Sequence, residues 1–253
     1  MQRLGSPTPL SAAEAARRKK RRYQSRTDEE IEAEMDNRGL NYRYGWPLLP
    51  PLPVKTTRSG AMQAVHNAAG HLDKVQDILH LQRMHSAVAY FAYRVPNNAS
   101  HDETNEAFLT LVAAVDTTVP GTFVAAVIQL RQYLKTQEDT RDISIELIDH
   151  RAIDGLFTSI IRHNDTAILE AWVEISNIVE TEISNFQERW LGLQLLRRGL
   201  TENRCSPTVV ITSPSAGNLA WTQMILPAIR QRLGNLAPLV DLEVLCAATV
   251  IPK

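Results

Sequence analysis

A chain of 253 residues, 44% of them hydrophobic, is long enough for one large or two small domains with cores of their own. Its longest apolar runs, such as "FVAAVIQL" and "PTVVI", fall far short of the ~20 residues that cross a bilayer. The polar start "MQRLGSPTPLS" lacks the apolar section of a secretory signal, so an intracellular protein, nuclear or cytoplasmic and without membrane contact, is expected.

The net charge of -1 hides an asymmetry, because residues 1–60 hold 12 of the 27 Lys and Arg but 7 of the 28 Asp and Glu. That segment has few regularly spaced apolar positions and ends in "WPLLPPLPV", a composition that predicts a mobile, disordered basic arm over 1–60. Within it Arg17, Arg18, Lys19, Lys20, Arg21 and Arg22 stand in a row. Closely spaced cations suit the acidic groove of an import receptor, so the run is a candidate nuclear-import or anion-binding patch, with nucleic acid the lesser reading. No leucine heptad follows, which excludes a basic zipper. "PLPVKTTR" (51–58) suits an edge strand at best, since Pro51 and Pro53 cannot donate to a ladder.

From residue 61 the pattern becomes regular. Val65, Ala69, Leu72, Val75 and Leu79 mark one face of a helix over about 63–84. "AVAYFAYRV" (87–95) and "AFLTLVAAV" (107–115) read as strands, "PGTFVAAVIQLRQYL" (120–134) as a helix and "ISIELI" (143–148) as a closing strand. The order then returns: a helix over about 164–184, strands at 189–198 and 207–213, a helix over 220–233, and a strand at 240–250. Pro227 inside the last helix predicts a kink or a late start there.

Two blocks of helix, strand, strand, helix, strand suggest an internal repeat of two modules, 61–150 and 151–253. "VIQLRQYL" aligns with "LPAIRQRL", matching Arg131 to Arg230 and Leu134 to Leu233 at an offset of 99, and "ISIELI" aligns with "DLEVLC" around Glu146 and Glu243. With the strand at 143–148 placed before the second block, the order is that of a ferredoxin-like split β-α-β fold, so an α+β protein of two tandem ferredoxin-like modules is expected.

The candidates for chemistry are few. "DHRAIDG" (149–155) resembles the His-x-x-x-Asp-Gly signature of coenzyme-A-dependent acyltransferases. The resemblance implies His150 as general base, Asp154 as the orienting acid, Gly155 as the turn residue and coenzyme A as cofactor. The residues themselves carry a second reading, in which Asp149 opens a turn after a strand and Asp154-Gly155 completes it. His66, His71, His80 and His85 include no pair four apart, so they offer no two-ligand face for zinc. "TSPSAGN" (212–218) leads into a helix and suits capping by Ser215 or Asn218. Cys205 and Cys246 read as reduced thiols, and Trp172, Trp190 and Trp221 as core residues.

The blocks "AWVEISNIVETEI", "RWLGLQLLRRG" and "PTVVITSPS…AW…ILPAIRQRL…LEVL" resemble a group of uncharacterised proteins of filamentous fungi over about 140–250, a resemblance that implies a fold and no mechanism. The function expected is therefore non-catalytic binding of a protein partner through a sheet face or edge, without a cofactor, with the acyltransferase as the alternative.

Overall fold

The computed structural model describes residues 12–23, 26–36, 41–47, 49–96, 104–218 and 220–247. Among them run, in chain order, α1 (Ala12–Tyr23), α2 (Asp28–Asp36), β1 (Arg43–Trp46), β2 (Val54–Thr57), α3 (Ala68–Leu81), β3 (Val88–Pro96), β4 (Leu109–Val115), α4 (Phe123–Lys135) and β5 (Ser144–Asp149). There follow β6 (Phe157–Ser159), α5 (Thr166–Asn185), β7 (Gly192–Gly199), β8 (Cys205–Ser213), α6 (Leu226–Leu233) and β9 (Asp241–Cys246). The protein is a mixed α and β structure with two sheets, ordered β1-β5-β4-β3-β2 and β6-β7-β8-β9. No helix among the described residues is long and apolar enough to cross a membrane.

Period-two alternation divides each sheet into a helix-covered face and a helix-free face. In the first sheet Phe91, Tyr93, Val95, Leu109, Leu111, Ala113, Ile145 and Leu147 point to one side and share a core with Val75 and Leu79 of α3 and Val127, Leu130 and Leu134 of α4. The second sheet does the same with Val209, Ile211 and Leu242 against Ile175, Val179 and Ile183 of α5 and Ile229 and Leu233 of α6. The helix-free face of the first sheet, with Ala92, Val112 and Ile148, packs against Tyr42 and against Leu156 and Leu200 of the second half. Each half places two antiparallel pairs before one parallel pair, the parallel strands joined through α4 or α6 as a crossover helix.

The alternation of helices and strands expected from the sequence is present in both halves. The split β-α-β order is not. A split arrangement would put the leading strand inside the sheet, whereas β2 and β6 lie on the edges, antiparallel to β3 and β7, so the four strands of each half follow one another in chain order. The strand at 144–149 belongs to the first sheet, and the second half leads with the short β6 instead.

The expected arm over 1–60 is also corrected where it is described. β1 pairs with β5 and β2 with β3, so residues 43–57 supply both edges of the first sheet. Ile31 of α2 is buried in the first core, and Ala13 and Ala16 of α1 pack on it. Of that segment, residues 1–11, 24–25, 37–40 and 48 lie outside the described residues. Pro227 sits in the first turn of α6, which starts late after a wide turn over Trp221–Ile225, a position that needs no donor from proline.

Candidate functional site

A carboxylate in the middle of an apolar strand cannot stay ionised in a core without a partner. Glu146 on β5 is fully buried, and Arg94 on β3 reaches over β4 to it with two parallel bonds, Nε to Oε2 and Nη2 to Oε1, each 2.8 Å. The third nitrogen of Arg94 donates to Thr56 Oγ1 on β2, the residue directly opposite in the ladder. The second sheet repeats the arrangement. Arg198 on β7 reaches over β8 to Glu243 on β9, with Nε to Oε2 at 2.6 Å and Nη2 to Oε1 at 3.2 Å, and its Nη1 donates to Thr158 Oγ1 at 2.8 Å on β6. Thr158 again lies opposite the arginine, and Val112 and Val210 occupy the same place beside the two carboxylates.

Consecutive residues before and at the start of β1 complete both trios. Arg43 Nε donates to Glu146 Oε1 at 2.6 Å, and the Tyr42 hydroxyl donates to Glu243 Oε1 at 2.9 Å. Burial alone would raise the Glu146 carboxyl, but the Arg43 and Arg94 guanidiniums override it and hold it at about 2. Burial, helped by the Glu243 charge, pushes the Tyr42 phenol well above its ordinary value.

Two clefts flank these trios where the halves meet. The first, of about 380 Å³, is walled by Arg94, Thr110 and Ser144 of the first sheet, by Lys20 of α1 and by Ser215 and Gly217 from the loop that follows β8. The second, of about 270 Å³, is walled by Arg198, Thr208 and Asp241 of the second sheet and by Thr117 and Thr118 from the loop that follows β4. Each half thus lends the corresponding loop to the other half's cleft. The loop after β8 is held by Glu188, which accepts from Ser215 Oγ at 2.6 Å and Asn218 Nδ2 at 2.5 Å, while Asn218 Oδ1 accepts from Ala220 N at 3.2 Å as a cap.

The basic run does not form one outward patch. It lies in α1, where Arg17, Arg18 and Arg21 are exposed but Lys20 turns inward and is 7% exposed. Burial lowers the Lys20 ammonium to about 8, with the Asp142 charge partly opposing. The side chains of Lys19 and Arg22 lie outside the described residues.

No hydrogen bond or ion pair joins His150 to Asp154. His150 sits on a single helical turn after β5, its side chain 55% exposed, with Nδ1 3.2 Å from Val115 O, and it is not part of the first cleft's wall. Asp154 is exposed. What organises the heptapeptide is Asp149, fully buried, which accepts from Arg151 N and Nε at 3.0 and 2.7 Å and from Thr117 N and Oγ1 at 2.9 and 2.8 Å. Burial would raise this carboxyl, but these bonds hold it far below the usual carboxylate range. Gly155, at φ 112, turns the chain in a conformation open to glycine.

Of the remaining candidates, His71 is buried with Nδ1 2.8 Å from the Tyr133 hydroxyl, and His80 pairs with Gln76 at 3.1 Å. Trp221 is fully buried and Trp172 and Trp190 partly so. Cys246 lies at the end of β9 and Cys205 opens β8; both are buried and neither forms a disulfide. The sequence signal for the trios is a charge set inside an otherwise apolar strand, alone in "YFAYRV" and "ISIELI" of one half and beside a second charge in "LQLLRRG" and "DLEVLC" of the other; the alignment finds the glutamates but not their arginines. No family model, curated protein or solved structure matches the chain.

Proposed function

We propose that the protein is a non-catalytic binding protein whose ligand site is the first cleft between its two halves, and that the halves arose by internal duplication. The duplication is supported by the repeated threonine, arginine and glutamate, which occupy matching ladder positions in both sheets. Packing alone does not require the same polar trio twice.

The observation that carries the binding reading is where the charge sits. Glu146, Asp149 and Glu243, the buried carboxylates among the described residues, are each engaged by arginine at 2.8 Å or less, so they brace the sheets and are not poised to exchange protons. The first cleft, by contrast, has the size and makeup of a small-molecule site, largely apolar walls with a few converging polar groups.

A thermal-shift screen of small amphipathic fragments tests it on the full chain. Gly217 lines the cleft, and a Cβ there would stand an ordinary 3.7 Å from Pro51 Cδ, so the backbone accepts a side chain at this position and Gly217→Leu narrows the cleft. Fragments that raise Tm by about 2 °C or more in the wild type should lose that effect in the variant. Hits unaffected by the narrowed cleft, or an empty screen, overturn the assignment.

A further inference from the structure

We propose that the first cleft takes a small amphipathic carboxylate, its head bound by the Lys20 ammonium and its apolar body laid against Phe108 and the prolines of the wall. The inference rests on the cleft being the binding site and names the class of ligand.

Charge balance points to an anion. Three cations at or behind the wall, Lys20, Arg43 and Arg94, are buried to 7% exposure or less, against one buried carboxylate between the two arginines, Glu146. The other buried carboxylates among the described residues, Glu243 and Asp149, are already matched by Arg198 and Arg151. Asp142 and Asp154 influence Lys20 and Arg94 but are themselves exposed, where solvent weakens their pull. Buried ammonium and guanidinium groups ordinarily sit against a matched acceptor, and this cluster is left with an excess of positive charge.

The unfilled donors are in place to meet an anion. An ammonium has three N–H groups, yet Lys20 Nζ has a single acceptor among the described residues, Leu109 O, at a long 3.5 Å. Arg43 is not part of the wall but stands behind it, joined through Pro50 O at 2.7 Å, and its buried, unpartnered Nη2 adds to the uncompensated positive charge there. Ser144 stands on the same sheet face as Arg94, within the wall, and its hydroxyl can donate to a carboxylate oxygen, whereas the Thr110 hydroxyl beside it already donates to Phe108 O at 2.9 Å. Phe108, Pro47, Pro51 and Pro96 of the same wall offer an apolar surface, rigid because proline has little freedom to lose on binding. A compact inorganic anion would leave that surface against water, while a neutral apolar molecule would leave the ammonium unmatched. A carboxylate with a short hydrocarbon body satisfies both.

Isothermal titration calorimetry of the full chain with hexanoate, its neutral isostere hexanamide, and inorganic phosphate tests this. Hexanoate should bind the wild type, with hexanamide at least about tenfold weaker and phosphate weaker still. Lys20→Met, which keeps the stem and removes the charge, should weaken hexanoate by about tenfold or more, and Lys20→Arg should stay within about threefold of the wild type. Equal binding of hexanoate and hexanamide overturns the anionic head while leaving the cleft as a binding site. Phosphate without hexanoate overturns the amphipathic ligand, and the absence of any binding at millimolar concentration overturns the proposal, with the fragment screen deciding separately whether the cleft binds anything.

Discussion

Glu146 shows how much a single buried charge decides. It is fully buried between two guanidiniums, so Glu146→Gln leaves Arg43 and Arg94 facing each other without a counter-charge and should cost about 3–5 kcal/mol in urea denaturation. Glu243→Gln should cost less, because Arg198 keeps 11% of its side chain in solvent. The wild-type protein carries the same term in its pH dependence. A carboxyl lowered on folding from 4.5 to about 2 adds stability that is fully present above pH 4.5 and is lost as the pH falls through 2. The urea midpoint should therefore drop steeply between those values, and Glu146→Gln should flatten that limb. Lys20 behaves in the opposite sense: an ammonium lowered on folding from 10.5 to about 8 costs stability at neutral pH. Lys20→Met should accordingly raise stability by about 1–3 kcal/mol in ligand-free protein, as expected where a binding group is retained at the expense of the fold. A loss of stability in that variant would mean that the ammonium is structural.

At the scale of elements, β1 is the piece whose contribution is least visible in its four residues. "RYGW" is too short for a period-two pattern to register and carries a glycine, so nothing local marks it as a strand. It forms because Gly45 lets the chain lie close against β5: a Cβ there would collide with the Ile145 carbonyl and with Leu49. Gly45→Ala should cost about 1–3 kcal/mol and speed amide exchange in β5, whose outer edge β1 protects; unchanged exchange would show that β1 adds little. The three-residue β6 escapes sequence reading for the same reason. The longer elements were legible because each has several apolar positions in one period, and even the late start of α6 follows from Pro227. Strand order was not legible. Whether the leading strand inserts or stays at the edge depends on which neighbour accepts it, and both outcomes use the same alternating residues. Nor was α1 legible as a docked helix, since its inward face is made of alanines and the stem of Lys20, while its six basic residues dominate the composition. The cleft was invisible for a further reason: its wall draws on α1, the first sheet and the loop after β8, which are distant in sequence.

The whole molecule is tied together by two adjacent side chains, Tyr42 reaching the second half's glutamate and Arg43 the first half's. Main-chain bonds run beside them, from Asp149 N to Tyr42 O at 2.9 Å and from Cys246 N to Leu52 O at 3.1 Å, so the segment 42–52 touches the end of the last strand in each sheet. If this segment couples the halves, removing the Tyr42 hydroxyl should matter only while Glu243 is charged. Tyr42→Phe should cost about 1.5–3 kcal/mol, the range for a hydrogen bond to an ionised group, and much less in a Glu243→Gln background. A double-mutant cycle would then give a coupling of about 1 kcal/mol or more, whereas additive losses would mean that the phenol stabilises its own half only. Alkaline pH offers an independent check. A phenol whose pKa is raised on folding contributes stability that is whole below pH 10 and is lost as the pH climbs toward the folded value. Wild-type stability should fall above pH 10 more steeply than that of Tyr42→Phe, because ionising the hydroxyl puts a second negative charge against Glu243 at the place where the two sheets are joined.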